Sequence, residues 1–187
     1  NQRPIHLGID LFLEPRHPVK APFAGRVHSV RDNNCNQDYG PTVILEHQIA
    51  DGPAPFFTLF GHLGRESISH LKEGQNVQAG EGIGYIGTPF ENGGWPPHLH
   101  FQLMTDMLGY SGNFPGVTTP EHRDVWLDLC PDPGLLLGID QPPQTPSIKQ
   151  CVELKKRRQN SISPSLSLSY REPLHFVQGH RQYLYDS

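Results

Sequence analysis

From Ile5 to Leu11 the chain alternates, with Ile5, Leu7, Ile9 and Leu11 standing between His6, Gly8 and Asp10. A period of two predicts a strand with one face turned to a core. The pattern returns at 25–30 after the turn at Pro22, and again at 42–46, 56–60, 82–86 and 98–104. Short strands separated by glycine-rich breaks predict a mainly β fold, a compact antiparallel sheet or barrel. Helix is scarce, and 120–129 supplies one short piece. From 140 the pattern lapses. Gln141 to Pro146 reads as a linker of polyproline character, 149–160 as a basic solvated stretch with one short helix, and 161–165 as another break. Apolar periodicity resumes from Leu166 to Tyr185, over too short a span to close a core. The organisation expected is a domain at 1–140, a Pro/Ser-rich and basic linker at 141–164, and the truncated beginning of another domain at 165–187.

Length and composition narrow this picture. A chain of 187 residues fits one domain with an appendage and can bury a core without disulfides. Nineteen glycines and 19 prolines beside a hydrophobic fraction of 35% favour strands and turns over long helices. The net charge of -4, with no basic stripe in the first 140 residues, argues against a nucleic-acid footprint. Lys155 to Arg158 reads as a solvated linker face. Cys35, Cys130 and Cys151 form no CxxC pair and read as free thiols of a reducing compartment. No run approaches the ~20 apolar residues of a membrane span, and no secretory signal stands at the beginning. Starting at Asn1 and stopping at Tyr-Asp-Ser, the sequence reads as cut from something longer.

Chemistry enters with the histidines. Of the 11, His98 and His100 are two apart, and on a strand both rings leave the same face ~7 Å apart at the backbone. Leu99, Phe101 and Leu103 face the other way, into the core. Taken alone, the triplet fits two exposed polar residues as well as a shared site. His6 and Asp10 are four apart, which on a straight strand is ~13 Å and too far for one metal ion. A bend at Gly8 removes that conflict. Two histidines with one carboxylate leave an open position on tetrahedral zinc, the mark of a catalytic site. Zinc lowers the pKa of bound water toward ~7 and polarises a carbonyl. A spare histidine beside it suits a general base or an oxyanion stabiliser near neutral pH.

His6-Leu-Gly-Ile-Asp10 resembles the HxxxD motif of the lysostaphin/LytM-type zinc metallopeptidases, and His98-Leu-His100 resembles their HxH. Phe60-Gly-His-Leu63 is similar to the Tyr-Gly-His-Leu segment of that family. The segments 21–27, 42–47 and 73–87 follow in the same order, so the resemblance runs unbroken over residues 3–104. It implies a compact antiparallel β-sheet or barrel-like LytM domain with an open groove over the metal. It also implies Zn2+ held by His6, Asp10 and His100, with His62 and His98 flanking the water as catalytic groups. The substrate class implied is a peptide or amide. This chain departs from the family at Phe60, where tyrosine is common and one polar group is therefore lost. A ten-residue stretch, Thr88 to Pro97, also replaces a short turn and should border the groove. His17, His28, His47, His70, His122, His175 and His180 match no ligand position and read as surface or packing residues. Trp95 and Trp126 read as packing anchors.

Ser165 to Asp186 resembles the opening of a class-III pyridoxal-phosphate aminotransferase. That resemblance implies a covalently fused aminotransferase domain in the parent chain and a cytoplasmic location. Two other readings compete. The segments 19–27 and 77–83 resemble half-repeats of biotinyl or lipoyl carriers, but the modified-lysine turn is missing and nothing there calls for an HxH pair. A zinc-binding or ligand-sensing regulatory domain without turnover explains the same histidines. Because all five key positions are filled, hydrolysis is the favoured expectation.

Overall fold

The computed structural model describes residues 5–49, 52, 54–138, 176–180 and 183–186. The strands are β1 (Ile5–His6), β2 (Ile9–Phe12), β3 (Pro18–Lys20), β4 (Gly25–Asn33), β5 (Gly40–Gln48) and β6 (Pro55–Gly61). After helix α1 (Arg65–Ser69) come β7 (Asn76–Val77), β8 (Gly82–Tyr85), β9 (His98–Met104) and β10 (Val117–Thr118). A 3-10 turn (Pro120–His122) leads into α2 (Arg123–Leu129) and α3 (Gly134–Leu137). A hairpin of β11 (Phe176–His180) and β12 (Tyr183–Asp186) pairs antiparallel with itself. The fold is mainly β, as expected.

Six strands form one antiparallel sheet in the order β2-β9-β6-β5-β4-β7. Its two faces divide the core by the alternation of a pleated strand. Val43, Leu45, Phe60, Leu99 and Phe101 project to one side, against Val19, Ala21, Ile83 and Ile86 of the β3–β8 ribbon and the turn after it. Ile44, Leu59 and Met104 project to the other, against Ile5, Leu7, Phe114 and Cys130, with Trp126 packed behind them. Both faces are covered, so β5 and β6 read as nearly continuous apolar runs and all seven residues of β9 are buried. Burying each large aliphatic or aromatic side chain here contributes ~1.5–3 kcal/mol.

The alternation at 5–11 does not make one strand. It breaks at Leu7 and Gly8 into β1 and β2. A Cβ on Gly8 would stand 2.7 Å from both His100 Nε2 and the Phe101 carbonyl oxygen, so only glycine lets the chain cross β9 this closely. β1 then leaves the main sheet to pair with β10, while β2 stays and sets Asp10 opposite His100. The helix expected over 120–129 is divided into the 3-10 turn and α2. The linker at 141–164 and the domain boundary near 140 lie outside the described residues. Of 165–187, only the β11–β12 backbone is described.

Candidate metal centre

Strand phase selects which side chains of β9 meet. His98, His100 and Gln102 are two apart and leave the same face. The β2 register brings Asp10 across from His100, and the break at Gly8 turns His6 back over it. Three atoms from distant parts of the sequence then converge. His6 Nε2 lies 3.0 Å from His100 Nδ1 and 3.4 Å from Asp10 Oδ1, and His100 Nδ1 lies 3.2 Å from Asp10 Oδ1. These three residues form a group that could hold a metal ion. Ligand atoms on tetrahedral zinc with bonds of ~2.0–2.1 Å stand about 3.3 Å apart, which this triangle matches. Two imidazoles and a carboxylate carry more lone pairs into the gap than protons, and a cation satisfies that imbalance.

The remaining pair sits beside the triangle. His62 follows the last residue of β6 with φ 62°, in the left-handed region, a conformation that costs a non-glycine residue of order 1 kcal/mol. It is pinned on both sides. Its N–H donates to the Tyr39 carbonyl at 2.8 Å, and its own carbonyl accepts from Gly87 at 2.9 Å. The ring is aimed by Nδ1, which donates to the Asn92 carbonyl at 3.0 Å. His98 Nδ1 donates likewise to the Pro96 carbonyl at 2.6 Å. Each neutral ring is therefore left with its lone pair on Nε2. The His98 Nε2 atom is 3.7 Å from Asp10 Oδ1, and the two ring centres are 4.2 Å apart.

Both carbonyl acceptors come from the stretch 88–97, the one that departs from the family pattern. The loop is internally braced. Glu91 accepts from the Thr88 N–H and hydroxyl and from the Arg65 N–H, while the buried Asn92 side chain clasps the Trp95 backbone at both N and O. Trp95 reaches the His62 ring at 6.3 Å between centres. Trp126 packs edge-on to Phe114 at 5.8 Å, as a packing anchor should.

Burial dominates the electrostatics. It pushes the His6 imidazole down to about 4, helped by His100, and the His62 imidazole down to about 3, helped by His98. His47, buried with Nε2 against the Thr58 hydroxyl, is lowered for the same reason. Burial works to raise the Asp10 carboxyl, but contact with His100 and the charge of His6 outweigh it and bring it to about 2. A histidine kept neutral in the fold binds its proton more readily in the unfolded chain. As pH falls below the ordinary value of 6.5, protons therefore accumulate on the unfolded state first. The metal-free domain should lose stability from about pH 6.5 toward 4, at up to ~1.4 kcal/mol per pH unit for each histidine so displaced. The Asp10 carboxyl extends that decline below its unfolded value. In chelator, the urea midpoint should be plainly lower at pH 5 than at pH 7.5, and a constant midpoint contradicts the argument.

The expectation at Phe60 needs correcting in its consequence. Its ring lies in the core against Phe101, with centres 5.4 Å apart, on the face of the sheet away from His100. A phenol there would not reach the histidines, so the departure leaves the site intact. The polar contacts come instead from Tyr39 and Gln102. The Tyr39 hydroxyl is 3.4 Å from His100 Nε2, and Gln102 Oε1 is 2.9 Å from the same atom. One signal for Gln102 was available in the sequence, its position two beyond His100 on the same strand face. None marked Tyr39, which arrives through a loop.

A family model described as peptidase family M23 matches residues 4–112. Among solved structures, a mutant catalytic domain of the prophage-encoded M23 protein EnpA from Enterococcus faecalis is similar to this chain. The two share 26% sequence identity over 62% of this chain and 76% of that one, at a TM-score of 0.43. No curated protein matches. With more than half of its length matched by the family model, this chain belongs to peptidase family M23, whose members are peptide-bond hydrolases.

Proposed function

We propose that this domain is a zinc metallo-endopeptidase that hydrolyses a peptide or amide bond, with His6, Asp10 and His100 as the metal ligands and His62 and His98 as the proton-handling groups. The observation that carries the proposal is the triangle of ligand atoms, 3.0–3.4 Å on a side, beside two histidines whose Nδ1 atoms are held by the Asn92 and Pro96 carbonyls. Zinc bound there supplies a Lewis acid and lowers the pKa of water. His98 takes the proton from the attacking water and is oriented for it by the Pro96 carbonyl. His62, whose Nδ1 is committed to the Asn92 carbonyl, presents a second Nε2 acceptor that orients the same water. The proton then passes to the departing amine as the C–N bond breaks, so the histidine returns to its neutral form.

The test is a cleavage assay on zinc-loaded protein with a broad peptide panel, repeated after chelation and after zinc is restored. Hydrolysis lost on chelation and regained with zinc is the expected result. Full zinc occupancy with no cleavage of any peptide would make a ligand-sensing regulatory domain the better reading.

The wider setting is also part of the proposal. The resemblance of residues 165–187 to an aminotransferase opening supports a fused parent protein, and the free thiols of Cys35 and Cys130 among the described residues support a reducing, cytoplasmic compartment. Among the described residues no helix is long and apolar enough to cross a membrane. Mass spectrometry of the intact parent protein from a cell fraction tests both points.

A further inference from the structure

We infer that Gln102 is a positioning residue that holds His100 in its metal-ligating tautomer, and that the segment following the family match holds Gln102. The inference rests on the reading of His100 as a ligand. His100 faces the triangle with Nδ1, so its second nitrogen must carry the ring proton if Nδ1 is to offer a lone pair. That second nitrogen, Nε2, lies 2.9 Å from Gln102 Oε1. An amide can present either end, and an NH2 group turned toward His100 would favour the wrong tautomer. Two acceptors prevent the turn. Gln102 Nε2 donates to the Pro115 carbonyl at 3.1 Å and to Cys130 Sγ at 3.3 Å.

Everything in this chain of contacts is deep in the fold. Gln102 and Cys130 are both fully buried, so a flipped amide would lose its partners without water to replace them. Cys130 is protonated at neutral pH, because burial pushes its thiol up to about 11, and its sulfur is a weak acceptor. Both acceptors lie beyond residue 112, where the family match ends. Pro115 belongs to the stretch leading into β10, and Cys130 is set by α2, where its N–H donates to the Trp126 carbonyl. The added layer over the sheet thereby gains a role in metal binding. Outer contacts of this kind typically alter metal affinity 10–100-fold.

Cobalt titration of the whole chain, read in the visible bands of the tetrahedral ion, tests the inference with three proteins. Gln102→Met keeps the volume and removes the acceptor, and it should weaken cobalt binding ~10–100-fold and shift the bands. Gln102→Glu, whether ionised or protonated, keeps an oxygen for the His100 N–H and should bind close to wild type. Wild-type affinity and spectrum in Gln102→Met would overturn the inference, as would equal weakening in both variants. Nitrogen and proton NMR of the zinc-loaded wild type gives the answer even where a variant fails to fold. In it the His100 Nε2 proton should face the carbonyl end of Gln102, with the Gln102 amide protons close to Pro115 and Cys130, and amide protons facing His100 overturn the role of Gln102. Absence of cobalt and zinc binding by wild type would instead count against the metalloenzyme reading on which the inference rests.

Discussion

Replacing His100 with alanine should remove metal and hydrolysis together. Its Nδ1 is one corner of the triangle, 3.0 Å from His6 Nε2 and 3.2 Å from Asp10 Oδ1. With it gone, two protein ligands remain, fewer than the three that catalytic zinc sites use. Stability should fall as well, for reasons apart from the metal. The ring is almost completely buried, with Gly8 and Gly116 pressed against it and Tyr39 stacked edge-on at 4.9 Å. Truncation leaves a cavity and strips Gln102 Oε1 of its donor, a loss of ~1–3 kcal/mol from the unpaired amide alone. Mass-spectrometric metal analysis after dialysis, paired with chelator-free activity, is the measurement. Near-stoichiometric zinc in His100→Ala would end the ligand assignment. His70→Ala, at an exposed position outside the site, should keep both metal and rate.

The outcome at His100 bears on how much of the site the sequence could disclose. The HxxxD and HxH spacings were legible as chemistry, and strand phase correctly put His98 and His100 on one face. The distance between His6 and Asp10 was not legible from period two alone, because it depends on the break at Gly8 and on β1 finding β10, more than 100 residues away. Leu99 and Phe101 were rightly expected in the core. The burial of the opposite face of β9 was missed, because it is supplied by Leu7, Phe114 and α2 after the chain folds back. The strands β3, β7 and β10 are only two or three residues long. They have no period to read, and partner strands define them. Tyr39 and the carbonyls of Asn92 and Pro96 escaped for a related reason, since loops carry them to the histidines and a backbone acceptor has no sequence signature.

His98→Ala should retain its zinc while hydrolysis falls ~100-fold or more, the scale of a positioned acid–base group. The separation follows from which nitrogen each ring presents. His100 points Nδ1 into the ligand triangle, whereas His98 commits Nδ1 to the Pro96 carbonyl and turns Nε2 toward Asp10 at the longer distance of 3.7 Å. Removing His98 therefore leaves all three corners of the triangle in place. It does take away the ring on which His62 rests at 4.2 Å and on which the exposed Phe12 stacks at 5.3 Å. His98→Gln controls for that packing loss, since it restores bulk but cannot take a proton near neutral pH. Both variants should match wild type in zinc content and differ from it in rate. A loss of zinc in His98→Ala comparable to that in His100→Ala would make His98 a ligand. Equal rates at full zinc would take it out of the mechanism, leaving His62 as the proton acceptor by its free Nε2.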